Sequence, residues 1–278
     1  KVDAAFVFFN AGSFYDGSEI TVVGLADTTG DAAVIGDGAA HFIADHTVGV
    51  GIFIGGQPVV NGAECESLLY TDYTLMRDEL RKVTEGIEYV VENTTANRGL
   101  LCVKEHTGKK LGFFDGQKLS ENTAVKFLPD VYPMGDEISL IYEATGRLVK
   151  PGKLPITQGI IVYNVETMYN LGRAVRFSEG VTKKWLTVGG AVKNPVVIKV
   201  PVGARVADIF KVLGINVPEG YTVIDGGPSM GKIINHSTYT VTKTTKGILI
   251  LPDDTQAILS KRMSPQMATV RAETACCQ

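Results

Sequence analysis

The chain has 278 residues, of which 45% are hydrophobic and 21% are charged, and its formal net charge is −3. This is the composition of a globular protein with one large or two medium domains, and its charge provides no basic field for nucleic acid or an anionic membrane surface. No apolar run approaches the roughly 20 residues that span a bilayer, so we expect a cytoplasmic protein without membrane insertion.

The four cysteines do not form a disulfide framework in a chain of this length. Cys102 lies in an apolar run and is predicted to be a buried core residue. Cys276 and Cys277 are adjacent, and neighbouring residues rarely share one mononuclear metal site, so we predict no metal site from them. A surface site at His41 and His46, beside Asp45, stays open as an alternative.

Residues 1–58 are rich in Gly, Ala and Asp, and they contain short β-like runs such as residues 20–23. The apolar pair Val59 and Val60 then predicts the end of a strand. It opens into a polar segment, residues 61–66, which we call the acidic loop because it carries Glu64 and Glu66. Polar loops at strand ends often bind ligands in α/β proteins, although a solvated acidic turn is the alternative interpretation.

The next segments alternate between helix and strand patterns. From Asp72, apolar residues recur at steps of three and four, which predicts a helix with an interruption at Gly86. Residues 100–103 are predicted to form a strand, and residues 124–128 form a second apolar run that ends at Pro129.

Asn164 is the predicted cap of a helix, and Glu166 adds a carboxylate to its first turn. The Asn164 amide, the Thr167 hydroxyl and the first N–H groups of this helix favour an anion site. An ordinary capped helix explains the same pattern. The apolar face of this helix is predicted to contain Val165, Met168, Leu171 and Val175.

The last third of the chain is typical of a small β-grasp-like domain that starts near Ile156. The pattern predicts a hairpin at residues 184–190 and 196–200, a short helix at 204–213 and a strand at 221–224. The turn at residues 226–231 either presents backbone donors to a ligand or is structural. Lys243 and Lys246 are interpreted as residues of an exposed strand edge.

Five motifs carry a family resemblance: Asn61-Gly62-Ala63-Glu64-Cys65-Glu66, Pro133-Met134-Gly135-Asp136-Glu137, Tyr163-Asn164-Val165-Glu166-Thr167, Asp225-Gly226-Gly227-Pro228-Ser229-Met230-Gly231 and Val241-Thr242-Lys243-Thr244-Thr245-Lys246-Gly247. In this order they resemble the flavin- and NADH-binding core shared by the Rnf-complex C subunit and the microcompartment cobalamin reductases. That family is related to the flavin-bearing, NADH-binding subunit of respiratory complex I. The resemblance runs roughly from Val59 to Gln278.

The resemblance implies an α/β fold, with a Rossmann-like FMN/NADH-binding domain at residues 1–155 and a β-grasp soluble-ligand-binding domain at 156–251. Residues 252–278 would be a tail. By position, Asn61 and Glu64 would face the flavin, and Glu66 would lie on the nicotinamide side. The other implied cofactor-binding residues are Gly135, Asp136, Glu137, Asn164, Thr167, Gly55 and Gly56.

Both ends of the chain differ from the family pattern. The family has a Gly-x-Gly-Gly-x-Gly-Phe-Pro loop before the acidic loop, and residues 49–58 correspond to it here with shorter spacing. At the other end, Ala275-Cys276-Cys277-Gln278 resembles the start of a cysteine-rich cluster segment. We therefore expect 4Fe-4S clusters only in a longer chain, with Cys276 and Cys277 as remnants of that segment.

Three functions are consistent with these features. The first is an NADH-dependent flavoprotein that delivers electrons through iron–sulfur clusters to a corrinoid or a redox partner protein, in the cytoplasm or inside a bacterial microcompartment. The second is a catalytically silent module that binds a corrinoid or a partner. The third is a structural scaffold, and the sequence leaves the oligomeric state open.

Overall fold

The computed structural model describes the backbone strands Phe6–Phe9 and Thr21–Gly24 and then residues 56–276. In chain order, the strands are β1 (Phe6–Phe9), β2 (Thr21–Gly24), β3 (Gln57–Asn61), β4 (Gly99–Lys104), β5 (Thr123–Leu128), β6 (Ile160–Asn164), β7 (Lys183–Gly190), β8 (Val196–Pro201), β9 (Tyr221–Asp225), β10 (Lys232–Ile233) and β11 (Gly247–Pro252). The helices are α1 (Thr71–Asp78), α2 (Leu80–Glu92), α3 (Glu105–Lys110), α4 (Glu137–Thr145), α5 (Val165–Phe177), α6 (Val206–Leu213), α7 (Gln256–Lys261) and α8 (Pro265–Ala275), with a 3₁₀ turn at Pro155–Gln158.

The first compact unit is built on a four-stranded parallel sheet, and we call it the parallel-sheet unit. Among the described residues it comprises 56–63 and 81–175. The strand order is β5-β4-β3-β6, and all neighbours are parallel. Residues 100–103 of β4 are buried, as expected for a strand covered on both faces, and Cys102 is fully buried as predicted.

Two glycines let helices α2 and α5 approach each other closely within this unit. A Cβ atom at Gly86 would lie 2.0 Å from the Met168 carbonyl oxygen, and one at Gly172 would lie 2.2 Å from the Lys82 carbonyl oxygen. The predicted interruption at Gly86 is therefore wrong, because Gly86 lies inside α2 where only hydrogen fits. The helical segment is interrupted instead at Glu79, between α1 and α2.

The second compact unit contains a five-stranded mixed sheet, and we call it the mixed-sheet unit. Among the described residues it comprises 64–80 and 176–276. The strand order is β10-β9-β11-β7-β8, in which β11 is parallel to β7 and the other neighbours are antiparallel. A hairpin, a helix and a last strand paired in parallel with the first form a β-grasp topology, as predicted.

The larger core cluster of the mixed-sheet unit lies between its sheet and α6. Its buried members include Leu186, Val206, Phe210, Ile248 and Ile250. The predicted hairpin, helix and strand correspond to β7, β8, α6 and β9, with ends that differ by one or two residues.

One predicted apolar position in the parallel-sheet unit is wrong. Val165, Met168 and Leu171 of α5 are buried, but Val175 is 38% exposed because it lies near the end of the helix. The domain limits at residues 155 and 251 stay predictions. The compact units group residues 160–175 with the parallel sheet and residues 64–80 with the mixed sheet.

Candidate functional site

Asn61 and Asn164 are neighbours at the carboxyl edge of the parallel sheet. Asn61 is the last residue of β3, Asn164 is the last residue of β6, and the two are register partners. The chain places β4 and β5 on one side of β3 and returns to place β6 on the other. Ligands of open α/β sheets bind at such a point, where the order of strands reverses.

The Asn61 side chain connects this edge to the predicted Gly-Asp-Glu turn. Its Nδ2 donates to the Gly135 carbonyl oxygen at 2.8 Å, and its Oδ1 accepts from the Ala63 N–H at 3.1 Å. Asp136 caps α4, because its Oδ1 accepts from the N–H groups of Ile138 and Ser139. The turn is therefore held rigidly beside the end of β3.

Glu137 begins α4 and is only partly exposed. Burial raises the pKa of its carboxyl, and the adjacent Asp136 charge raises it further. Within residues 56–276, the Glu137 side chain makes no hydrogen bond or ion pair. A partly buried acceptor of this kind is suited to N–H or hydroxyl groups of a ligand.

Asn164 has the predicted capping role. Its Oδ1 accepts from the Glu166 N–H at 3.0 Å at the start of α5. Thr167 lies in the first turn of this helix and is partly exposed, whereas Glu166 is 4% exposed. The start of α5 therefore brings Asn164 and Thr167 to the same sheet edge as Asn61.

The structure does not bring Gly56 to this edge. Gly56 precedes β3, at the amino end of the strand, and a Cβ atom there would lie 2.6 Å from the backbone of Gly159 and Ile160. Close backbone packing thus explains this glycine. Gly55, His41, His46 and Cys277 lie outside the described residues, and Cys276 is exposed after α8.

Glu64 of the acidic loop belongs to a partly buried charge cluster in the mixed-sheet unit. Its Oε2 accepts from the Asp72 N–H at 3.1 Å, and Asp72 is 2% exposed. The Lys246 Nζ donates to Asp72 Oδ2 at 2.7 Å. Burial and the Asp72 charge raise the pKa of Glu64 to about 7, and Lys246 opposes this rise. The Glu64 backbone is left-handed, with φ of 34°.

Glu66 of the same loop has a different environment, because it binds the glycine-rich turn of the mixed-sheet unit. Its carboxylate accepts from the Met230 N–H at 2.5 Å and the Ser229 N–H at 3.1 Å. A Cβ atom at Gly227 would lie 2.2 Å from Glu66 Oε2, so only glycine allows this approach. The Ser229 and Met230 N–H groups therefore have a structural role in this turn, which confirms the structural interpretation for these two donors.

Sequence reasoning missed Asp72 and misinterpreted Lys246. Lys246 does not lie on an exposed strand edge: it precedes β11, which is an inner strand of the sheet, and it pairs with Asp72. The two residues are 174 positions apart, so no local pattern connects them. Lys243, by contrast, is exposed.

The family of the chain is established by its sequence. Residues 32–173 match the model of the Nuo51 FMN-binding domain, which is half of the chain. The chain therefore belongs to this family of flavin-binding electron-transfer subunits. The family resemblance inferred from the five motifs is confirmed.

Its relatives include redox proteins of two kinds. The chain is 35% identical to cobalamin reductase PduS of Salmonella typhimurium, over 89% of this chain and 54% of that protein. It is 31% identical to the C subunit of the Na⁺-translocating ferredoxin:NAD⁺ oxidoreductase complex of Acetobacterium woodii, over 72% and 46%. The chain thus spans about half the length of the curated relatives that it matches.

A solved structure shares the fold. An NAD⁺-reducing [NiFe]-hydrogenase in the air-oxidized state aligns with a TM-score of 0.57 and 18% identity, over 74% of this chain and 42% of that chain. This similarity supports the Rossmann-like sheet followed by a second, mixed sheet.

The described part of the parallel-sheet unit fits FMN. The partly buried Glu137 carboxylate, which lacks a protein donor there, is a suitable acceptor for a flavin N–H or a ribityl hydroxyl. The beginning of α5 supplies the N–H groups and positive dipole end that favour a phosphate. Residues 56–276 contain neither a group of three or more potential metal ligands nor a helix long and apolar enough to cross a membrane.

Proposed function

We propose that the chain binds FMN and NADH and transfers a hydride from NADH to the flavin, as part of an NADH-dependent oxidoreductase. One observation carries this proposal: Asn61, the turn at Gly135 and Asn164 converge at the switch point of the parallel sheet. The family match and the redox functions in the relatives' names support it.

The proposed roles follow from the chemistry of each group. Asn164, Thr167 and the first turn of α5 hold the phosphate of FMN, because a helix N-terminus favours an anion. Asn61 holds the turn at Gly135 in position, so that Asp136 keeps α4 capped and Glu137 accepts hydrogen bonds from the flavin. Glu64 and Glu66 are proposed to face the flavin and nicotinamide sides.

The bound flavin would supply the redox chemistry, since it accepts a hydride and releases electrons singly. The protein groups bind and orient the reactants. In a longer chain, iron–sulfur clusters would receive these electrons, and a corrinoid or a redox partner protein would be the final acceptor. The cobalamin reductase relative supports a corrinoid as the final electron acceptor. We also propose that the protein is located in the cytoplasm or inside a bacterial microcompartment.

The test is an anaerobic titration of the chain with FMN, followed by addition of NADH. We expect quenching of flavin fluorescence on binding and bleaching of the flavin absorbance band after NADH is added. Binding without bleaching would contradict the hydride transfer and favour a silent binding module. The absence of any FMN binding would contradict the whole proposal.

Two variants connect the result to the site. Asn61→Ala removes the hydrogen bond to Gly135 and should weaken FMN binding by about tenfold, which corresponds to a typical net hydrogen-bond energy. Asn93→Ala is the matched control, because Asn93 makes a similar exposed bond to the Tyr89 carbonyl oxygen, away from the strand ends. Equal losses in both variants would contradict the proposed role of Asn61.

A further inference from the structure

The chain runs along one face of the mixed sheet as it passes from the acidic loop into α1, and we call residues 64–72 the anchored segment. Val188 of β7 packs in the core with α6. Side chains alternate along a strand, so Thr187 and position 189 face the other side of the sheet. A Cβ atom at Gly189 would lie 3.8 Å from the Leu68 carbonyl oxygen. The mixed sheet therefore has α6 on one face and the anchored segment on the other.

Leu69 packs against this face from the middle of the anchored segment. It belongs to a buried cluster with Ile224, Leu249 and Ile258. A Cβ atom at Gly247 of β11 would lie 2.4 Å from Leu69 Cδ2. The absence of a side chain at Gly247 therefore makes room for Leu69 on the sheet.

Two buried threonines, Thr71 and Thr187, fasten the end of the anchored segment. The Thr71 hydroxyl donates to the Lys246 carbonyl oxygen at 3.0 Å, so its single hydrogen is used. In the 3.3 Å contact between the two hydroxyls, Thr187 is therefore the donor and Thr71 the acceptor. Thr187 Oγ1 also accepts from the Tyr70 N–H at 3.0 Å. The Thr187 N–H donates to the same Lys246 oxygen at 3.0 Å, which closes a ring of hydrogen bonds between β7, Lys246 and the anchored segment.

This ring holds the residue that binds Glu64. Thr71 directly precedes Asp72, whose N–H donates to Glu64 Oε2 at 3.1 Å. Glu66 is held by the glycine-rich turn of the same unit. Direct contacts within the mixed-sheet unit therefore fix the side chains of both glutamates.

We propose that Thr71 and Thr187 are positioning residues for the acidic loop, and that the mixed-sheet unit serves as the holder that fixes this loop for hydride transfer. The first half concerns the ligand-free chain alone. The second half rests on the proposed function, because it requires the flavin and the nicotinamide to react beside this loop.

The expected effect is on the chemical step, and it arises without any change of charge. Thr187→Val removes the hydroxyl at the centre of the ring and keeps the shape of the side chain, so every carboxylate and every lysine of the unit is retained. A displacement of about 1 Å in a group that orients reactants can lower the rate of a chemical step by about a hundredfold. We therefore expect flavin reduction at saturating NADH to slow by about tenfold in Thr187→Val.

The first experiment measures amide hydrogen exchange by NMR in the ligand-free 278-residue chain. The Tyr70 N–H donates to Thr187 Oγ1, so Thr187→Val should speed its exchange by about tenfold, the equivalent of a typical net hydrogen bond. Thr187→Ser keeps the hydroxyl and should restore slow exchange. Thr182→Val is the matched control, because that threonine is exposed directly before β7, and it should leave the exchange unchanged.

Gly247→Ala loosens the anchored segment by an independent route. Its methyl group would lie 2.4 Å from Leu69 Cδ2, so Leu69 must move away from the sheet while the hydroxyl groups of the ring are retained. Exchange of the Tyr70 N–H should again become faster. Gly180→Ala is the control, because nothing lies within 4 Å of that position. This pair also tests the inference if Thr187→Val fails to fold, which circular dichroism would reveal.

The second experiment follows flavin reduction by NADH in the FMN-loaded chain, by anaerobic stopped-flow absorbance. Slower reduction at saturating NADH in Thr187→Val and Gly247→Ala, restored in Thr187→Ser, supports the holder role. No change in the rate, or a change confined to the NADH concentration that gives half the maximal rate, overturns that role.

The two experiments separate the two halves of the inference. Unchanged Tyr70 exchange in both Thr187→Val and Gly247→Ala overturns it even if NADH reduces the flavin, and an equal change in Thr182→Val overturns it as well. If the wild-type chain binds no FMN or is not reduced by NADH, the proposed function and the second half fail. The exchange rates of the ligand-free chain still decide whether the ring positions the loop.

Discussion

In the parallel-sheet unit, the polar groups at the strand ends are the last residues of neighbouring strands, as Asn61 ends β3 and Asn164 ends β6. In the mixed-sheet unit, by contrast, Asp72 and Lys246 come from segments 174 residues apart. The first cluster consists mostly of amides and helix ends, and the second of charges. The polar groups of the first cluster lie together because parallel strands end at the same edge of a sheet. The charges of the second cluster lie together only because of one particular tertiary contact.

The largest loss of stability should come from filling the close contact between helices α2 and α5 of the parallel-sheet unit. Gly86→Val places side-chain atoms where the Met168 carbonyl oxygen lies, 2.0 Å from an ideal Cβ. We expect the free energy of unfolding to fall by about 3 kcal/mol, as measured by urea denaturation. Gly180→Val is the control, because nothing lies within 4 Å of that position. Equal losses in the two variants would contradict close helix packing.

The second largest effect concerns Glu64 and has a defined pH dependence. Its pKa is raised from 4.5 to about 7 in the folded state, so its stabilising contribution is complete below about pH 4.5 and is lost as the pH rises through 7. Glu64→Gln stays neutral, so it should be more stable than the wild type at pH 8, by about 2 kcal/mol after allowance for solvent screening.

The check is urea denaturation of both proteins at several pH values. The advantage of Glu64→Gln should shrink as the pH falls toward 4.5. An exposed control, Glu121→Gln, should show no such trend. A constant difference between wild type and Glu64→Gln at all pH values would rule out ionisation as its cause.

Removing the charge of each of the two glutamates of the acidic loop should change the free energy of unfolding in opposite directions. Glu66→Gln removes the charge that strengthens its bonds to the Ser229 and Met230 N–H groups. We expect a loss of about 1.5 kcal/mol in the free energy of unfolding at pH 8, opposite in sign to Glu64→Gln. Glu219→Gln, an exposed position of the same unit, is the control. Stabilisation by Glu66→Gln would contradict this distinction.

The smallest effect tests the parallel-sheet unit at its helix cap. Asn164→Ala removes the acceptor for the Glu166 N–H and should cost about 1 kcal/mol in thermal or urea unfolding. Asn164→Asp keeps a capping oxygen and should retain most of the stability. If the proposed phosphate site is correct, Asn164→Asp should nevertheless weaken FMN binding, because it adds a like charge. Unchanged FMN binding in Asn164→Asp would argue against that site.

Much of the parallel-sheet unit was predictable because its signals are local. The apolar strands at residues 59–60 and 100–103, the cap at Asn164 and the buried Cys102 all follow from runs of a few residues. The interruption at Gly86 was wrong for a reason outside its own segment. Glycine is required there because the Met168 carbonyl oxygen of another helix lies close to it, whereas the local sequence pattern shows only that the residue is small.

By itself, the sequence determined several of the strands and helices, the family through its motifs, and the polar character of the strand ends. The tertiary structure alone decided that Glu66 binds the glycine-rich turn and that Lys246 neutralises Asp72 beside Glu64. The physical reason is the distance along the chain over which each kind of interaction acts. Helix periods, caps and apolar runs act over a few residues, whereas the pKa of a carboxyl depends on whichever charges and buried surface the fold brings within a few ångströms.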